Sequence, residues 1–339
     1  MTPTPVTPVF GGAALGIDFQ GPKEVAAVFS ALKELDVTHI DTARLYGFGE
    51  SESLIGQVPD ISSYTVSSKW ESGFAPGSAT AENIVSAAKE SLKRVGVKQF
   101  DIFYLHAPDR KTDFAETLKG VNEVYKLGIF RRFGVSNFRT SEVRAVYQIA
   151  KEKGYVLPTV YQGNYSAVAR RTESLLFPTL RELGIAFYAY SPIAGGFLVK
   201  TRKQIEAGEG RFNDDVIGGM YKILYAKPSY LNALDIWNQI AEEEGVSKAE
   251  LAYRWIGFHS KLRAEHGDAV IFGVSKLEQL KQTVGALRAG PLSDKAAKGI
   301  EEIWGLIEKD APVDNFEVFD PDSFAKWNEE LEKEAEKSK

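Results

Sequence analysis

The chain has 339 residues, 44% of them hydrophobic and 26% charged, with a formal net charge of −5. An acidic balance without a clustered Lys/Arg face excludes nucleic acid as an expected partner, and no apolar run reaches the ~20 residues that a membrane-crossing helix needs. There is no cysteine, which removes disulfides, thiolate nucleophiles and cysteine-ligated metals together. The Thr/Pro-rich N-terminus lacks the basic start and apolar core of a signal peptide, so the expected location is cytoplasmic.

In chain order, short β-rich runs alternate with longer stretches of helical periodicity. An opening segment around Val9–Leu15 precedes a helix over Pro22–Asp36, and strands are expected at Thr38–Ile40 and Tyr64–Ser68. A helix at Ala81–Val95 leads to a strand at Asp101–Leu105, then a helix at Phe114–Leu127 and a strand at Arg132–Val135. The helix Ser141–Lys153, the strand Thr159–Gln162, the helix Thr172–Leu183 and the strand Ile185–Tyr190 continue the pattern. Helices at Tyr230–Glu244 and Lys248–Phe258 precede the strand Ala269–Gly273 and the helix Leu277–Leu287.

The strand runs are apolar on both faces, as buried parallel strands are. Strand–helix alternation predicts a parallel sheet with right-handed crossovers, and eight strands, counting the first, close a barrel. A doubly wound open sheet would need a glycine-rich phosphate turn after the first strand. Gly11-Gly12-Ala13-Ala14-Leu15-Gly16 does not fit Gly-x-Gly-x-x-Gly. The expected fold is a single-domain α/β barrel of the (β/α)8 TIM type over residues 1–312, with long loops at its C-terminal face. A C-terminal segment, 313–339, follows, and its Trp327–Lys339 tail alternates Glu and Lys like a solvated helix. Ile193–Ser229 reads as a long Gly-rich loop of the kind that carries function.

In such barrels chemistry sits where strands end. Asp41 follows the second strand, with Tyr46 five residues on; Lys69 ends the third and His106 the fourth. One acid, one phenol, one ammonium and one imidazole then share a mouth. A lysine paired with Asp41 stays charged, and a cation beside a phenol favours its ionisation, so a lowered pKa is expected for Tyr46. The set suits protonation of an oxyanion formed when hydride reaches a carbonyl carbon, and it calls for no metal. Taken singly, Asp41–Lys69 reads equally as a structural ion pair, and the other histidines, His39, His259 and His266, read as core or surface residues.

Asp41, Tyr46, Lys69 and His106, in this order and these contexts, resemble the catalytic tetrad of the aldo-keto reductases. The resemblance runs from about Phe10 to Pro312 and is nearest to the aflatoxin aldehyde/succinic semialdehyde reductase branch. It is carried by Phe103-Tyr104-Leu105-His106-Ala107-Pro108-Asp109, by Leu157–Tyr165 and by Phe187–Gly196. It implies NADPH/NADP+ as cofactor. Ser136, Asn137 and Gln162 resemble the residues that hold the nicotinamide carboxamide, and Tyr190 the aromatic that stacks on its ring. Ser191, Ile193 and Gly195 follow the pyrophosphate, and Arg211, in Gly210-Arg211-Phe212, approaches the phosphates. Ser275, Lys276, Gln279 and Gln282 match adenosine-side positions; Ser275 is also a plausible helix N-cap, and Lys276 suits a 2′-phosphate.

Two departures stand out. Thr283 replaces the usual Asn on the adenine side, and the branch's substrate-loop arginine gives way to Ile223 or Leu224, while Val313–Phe316 has no basic residue. The expected substrate is a neutral aromatic or aliphatic carbonyl compound, with Phe48, Trp70, Tyr221 and Tyr225 as candidate pocket residues. The expected oligomeric state is monomer or homodimer. The competing reading is a nucleotide-binding regulatory subunit resembling the potassium-channel β proteins, with little turnover.

Overall fold

A computed structural model describes residues 6–319; the expected tail helix Trp327–Lys339 lies outside the described residues. Eight parallel strands close into one barrel in sequence order: β1 Thr7–Gly11, β2 His39–Asp41, β3 Thr65–Trp70, β4 Phe100–Leu105, β5 Phe130–Ser136, β6 Pro158–Asn164, β7 Ala186–Tyr190 and β8 Ala269–Phe272. The ring is completed by β1 against β8, with Pro8 opposite Val270 and Phe10 opposite Phe272.

Strand alternation sorts the side chains. One set points outward into a large core shared with the surrounding helices, including Phe10, Phe103, Phe133 and Phe187. The alternate set, including Val9, Ile102, Tyr104, Val160, Tyr188 and Ile271, forms a separate cluster that fills the barrel interior. Gly134 belongs to that inward set. A Cβ there would stand 2.3 Å from the Tyr104 ring, so glycine at this position is what lets Tyr104 cross the interior.

The strand and helix order agrees with the sequence pattern, with local differences. β1 ends at Gly11, and Gly12–Ala14 form a turn of 3-10 helix instead of extending the strand to Leu15. The expected helix Thr172–Leu183 is two helices, Thr172–Leu175 and Phe177–Leu183, broken at Leu176 (φ −122°). Pro178 explains the break, because its nitrogen has no hydrogen to donate and its ring crowds the preceding turn. A helix at Asp294–Ile307, capped by Ser293 and burying Ile300, Ile303 and Ile307, packs against Pro228–Glu244 beyond the eight repeats. The loop after β7 holds short helices at Arg202–Glu206 and Met220–Tyr225. No helix among the described residues is long and apolar enough to cross a membrane.

Candidate active site

The ends of β2, β3 and β4 bring the four expected groups together. Asp41 ends β2, Lys69 lies on the inward face of β3, His106 follows β4 directly, and Tyr46 opens a turn of 3-10 helix after β2. That turn is tight: Gly47, Phe48 and Gly49 all have positive φ, and a Cβ on Gly47 would stand 2.2 Å from the Leu15 carbonyl oxygen. Only glycine passes there, and the turn swings Tyr46 back over the barrel.

Lys69 Nζ is completely engaged. It donates to Asp41 Oδ2 at 2.5 Å, to the Thr42 carbonyl at 2.8 Å and to Tyr46 Oη at 3.4 Å. Asp41 Oδ1 accepts a second hydrogen bond from Gln162 Nε2 across the interior at 2.9 Å. Burial pushes the Asp41 carboxyl up against the pull of Lys69, and for Lys69 burial is outweighed by Asp41 and Tyr46, so the ammonium titrates above its ordinary value. Lys69 therefore carries its charge at neutral pH.

The expected lowering of Tyr46 is not found. Lys69 does act in that direction, but desolvation is larger and Asp41 opposes it, so the phenol sits above its ordinary value. At neutral pH Tyr46 is a phenol, held 3.4 Å from the ammonium. His106 is pushed well below its ordinary value by burial and then by Lys69, which makes it a neutral imidazole. Its ring meets Tyr46 edge-on at 5.6 Å and Phe74 at 5.0 Å.

Around this mouth the backbone is strained. Phe48, Ser72, Asn137, Ser191, Ala194 and Ile217 are non-glycine residues with positive φ, and all lie on loops that follow strands. Such conformations persist where surrounding structure over-determines them, and they concentrate at functional sites. Asn137 shows the means. Its Nδ2 donates to the His106 carbonyl at 2.9 Å, and its Oδ1 accepts from the Tyr190 hydroxyl at 2.7 Å.

The remaining expected nucleotide residues lie towards the C-terminal ends of β5, β6 and β7 and in the segments that follow β5, β7 and β8. Ser136 Oγ is buried without a hydrogen-bond partner among the described residues, as are His106 Nδ1 and Trp70 Nε1. A buried hydroxyl that can both donate and accept suits a carboxamide, so the residues present fit a nicotinamide group. The Tyr221 ring rests on Gly195, and the Arg211 guanidinium lies 5.7 Å over that ring. Ile193 and Ser191 are half-buried beside it.

Ser275 is not the N-cap of the helix after β8. That helix is Glu278–Arg288 and starts after Leu277, whereas Gln279 Oε1 accepts from the Ser275 and Lys276 N–H groups at 3.0 and 3.2 Å. The helix has no side-chain cap, and Gln279 instead folds back to hold the turn that precedes it. Lys276 and Gln282 are exposed, and Thr283 turns inward beside Tyr253.

Two of the four expected pocket aromatics are placed elsewhere. Phe48 is 95% exposed, thrown outward by the glycine turn. Tyr225 is fully buried inside the β7 loop, stacked on Phe197 and bonded to Asn164, so it supports the loop from behind. Trp70 is half-buried with Arg44 over its ring, and Tyr221 is buried over Gly195. Two aromatics that sequence reasoning missed stand beside His106 instead. Phe74 contacts it directly, and Phe316 packs edge-on against Phe74 at 5.0 Å. Phe74 follows β3 closely enough to be suspected, but nothing local marks Phe316.

The aldo/keto reductase family model matches residues 9–305. The oxidoreductase sirO of Leptosphaeria maculans is 40% identical over 283 residues, covering 83% of this chain and 86% of its own. An aldo-keto reductase of Pseudocercospora fijiensis is 38% identical, covering 79% of this chain and 93% of its own. Aflatoxin B1 aldehyde reductase member 2 of Homo sapiens is 34% identical over 326 residues, covering 91% of this chain and 89% of its own. The chain belongs to the aldo/keto reductase family and is an oxidoreductase that acts on carbonyl and CH–OH groups.

Proposed function

We propose that this protein reduces an aldehyde or reactive ketone to the alcohol with NADPH, and that Tyr46 is the general acid. The observation that carries the reading is the Tyr46 hydroxyl held 3.4 Å from the Lys69 ammonium, with the His106 ring edge-on to Tyr46 at 5.6 Å.

When bound, the nicotinamide supplies hydride to the carbonyl carbon. The protein's task is the oxygen. The neutral His106 imidazole presents one N–H to orient the carbonyl, and Tyr46 gives up its phenolic proton as negative charge develops there. The Lys69 ammonium stabilises the phenolate left behind, and Asp41 and Gln162 keep Lys69 in place. These donors are in position before reaction, so little reorganisation accompanies proton transfer.

Ser136, Asn137 and Gln162 would hold the carboxamide, and Tyr190 would stack against the ring. Ser191, Ile193, Gly195 and Arg211 would follow the phosphates. Ser275, Lys276, Gln279 and Gln282 would take the adenosine side, where the Lys276 charge favours a 2′-phosphate. The substrate is a neutral aromatic or aliphatic aldehyde, received against Trp70 and Tyr221 beside an apolar Ile223 and Leu224. The location is cytoplasmic, the chain acts as a monomer or homodimer, and residues 1–312 form the barrel, followed by a C-terminal segment, 313–339, with a charged tail.

The test is NADPH consumption by the purified protein against para-nitrobenzaldehyde, an aliphatic aldehyde, a pyridine aldehyde and succinic semialdehyde, beside Tyr46→Phe. Turnover that disappears in the variant supports the reading, and weak turnover of succinic semialdehyde supports the neutral-substrate assignment. Nucleotide binding without turnover of any aldehyde would overturn it and favour a regulatory subunit.

A further inference from the structure

The segment that follows the last helix crosses the rim of the mouth, and one buried acid pins it there. Glu317 is fully buried. It accepts from Arg110 Nη2 at 2.5 Å and Nη1 at 3.3 Å, and from Arg139 Nε at 2.9 Å and Nη2 at 3.0 Å. Arg110 follows β4 and Arg139 follows β5, so one carboxylate joins two rim loops to the C-terminal segment. Glu142 accepts from Arg110 Nε at 2.7 Å and from the Arg139 backbone N–H at 2.8 Å. Two guanidinium groups thus face two carboxylates, with the Asp314 carboxyl beside them.

The residue before Glu317 belongs to the substrate side. The Phe316 ring lies 5.9 Å from the Arg110 guanidinium on one side and 5.0 Å from the Phe74 ring on the other; Phe74 in turn lies 5.0 Å from His106. Asp314 Oδ1 accepts from the Phe316 and Glu317 N–H groups, and the Asn315 N–H donates to the Tyr190 hydroxyl. Phe74 and Phe316 thus form a chain of ring contacts from the His106 imidazole to the Arg110 guanidinium, and that cation is already matched by an internal acid.

We propose that Glu317 is a specificity-determining residue. It is a built-in carboxylate that occupies Arg110 and Arg139 and seats Phe316, so the site takes neutral aromatic carbonyl compounds and rejects those that carry a carboxylate. The proposal rests on the reductase reading above. An incoming carboxylate must displace one that is tethered to the same chain and preorganised, and it meets the negative charge of Glu317 and Glu142 while doing so.

The experiment compares para-carboxybenzaldehyde with its methyl ester, which share scaffold and differ in charge. The ratio of kcat/KM, ester over acid, is measured in wild type, Glu317→Gln and Arg139→Gln. Glu317→Gln is expected to narrow the ratio by about tenfold or more, through a lower KM for the acid. Arg139→Gln, which removes a cation and keeps Glu317, is expected to widen it. A purely structural anchor would shift both substrates together and leave the ratio alone. Melting temperature and NADPH binding report folding; should Glu317→Gln fail to fold, Arg139→Gln decides. A ratio unchanged in the folded Glu317→Gln protein, or in Arg139→Gln where that variant decides, overturns the proposal. Wild type that turns over neither aldehyde sinks the reductase reading instead.

Discussion

Gln162 donates a hydrogen bond to Asp41 across the barrel interior, joining β6 to the end of β2 at 2.9 Å. The side chain whose resemblance points to the nicotinamide therefore also serves the acid beneath Lys69. Replacing it by Met removes a donor and leaves Asp41 Oδ1 buried and short of a partner, a loss of about 1–3 kcal/mol. Chemical denaturation is expected to show that loss with and without nucleotide. A stability equal to wild type in the absence of nucleotide would assign Gln162 to the cofactor alone.

Lys69 and Asp41 form an ion pair whose side chains are 0% and 4% exposed. Lys69→Met leaves a buried carboxylate without its cation, which costs about 3–5 kcal/mol. The double variant with Asp41→Asn is expected to recover much of that stability while remaining inactive. Denaturant midpoints for the two single variants and the double separate structural pairing from catalysis; additive losses would contradict the coupling.

The directions found for Tyr46 and His106 fix the shape of a pH profile. Tyr46 titrates above its ordinary value because of burial, so the proton donor stays loaded through neutral pH and is lost only in alkaline solution. His106 titrates well below its ordinary value, again through burial and then Lys69, so it does not change charge near neutrality. The kcat for carbonyl reduction is therefore expected to be flat from about pH 6 to 9, without the inflection near ~6.5 that an exposed histidine would give. A step of that kind, abolished by His106→Gln, would show that His106 works as a cation.

Asp314 is pushed up to about 7 by burial, opposed by the backbone N–H groups of Glu317 and Phe316 and by Arg110, and aided by the charge of Glu317. An unfolded chain releases this proton near ~3.9. Between those values the folded protein holds a proton that the unfolded chain has lost, so this contribution to stability is complete in acid, declines as pH rises from about 4 to about 7, and is gone above that. Asp314→Asn is expected to remove this slope and to raise the melting temperature at pH 8 more than at pH 5. An equal shift at both would rule out titration of Asp314 as the cause.

Much of the site was legible because function in this fold is tied to strand ends. Asp41, Lys69 and His106 each close a short apolar run, and the period alone locates those ends. The helix Asp294–Ile307 was not expected, although Ile300, Ile303 and Ile307 are helically spaced, because it belongs to no strand–helix repeat. Contacts that depend on closure of the ring were not legible. Gln162 with Asp41, Phe74 with His106, and Glu317 with Arg110 and Arg139 join residues whose only relation is where the loops land. The direction for Tyr46 failed for a related reason. A neighbouring cation can be read from sequence order, whereas the extent of desolvation that opposes it is a property of the assembled mouth.

The pairing of β1 with β8 has a consequence for how the molecule comes into being. Thr7–Phe10 is made well before Ala269–Phe272 and finds that neighbour only when the later strand has emerged. Throughout synthesis the growing sheet carries two open edges, each a row of unsatisfied N–H and C=O groups able to recruit another chain. Ring closure joins segments that are far apart in the sequence, a slow and late event by loop-closure entropy. The vulnerable period for the barrel is thus the interval before β8 is translated, and substitutions that weaken the β1–β8 seam are expected to reduce the yield of soluble protein more than they reduce the stability of molecules that have closed.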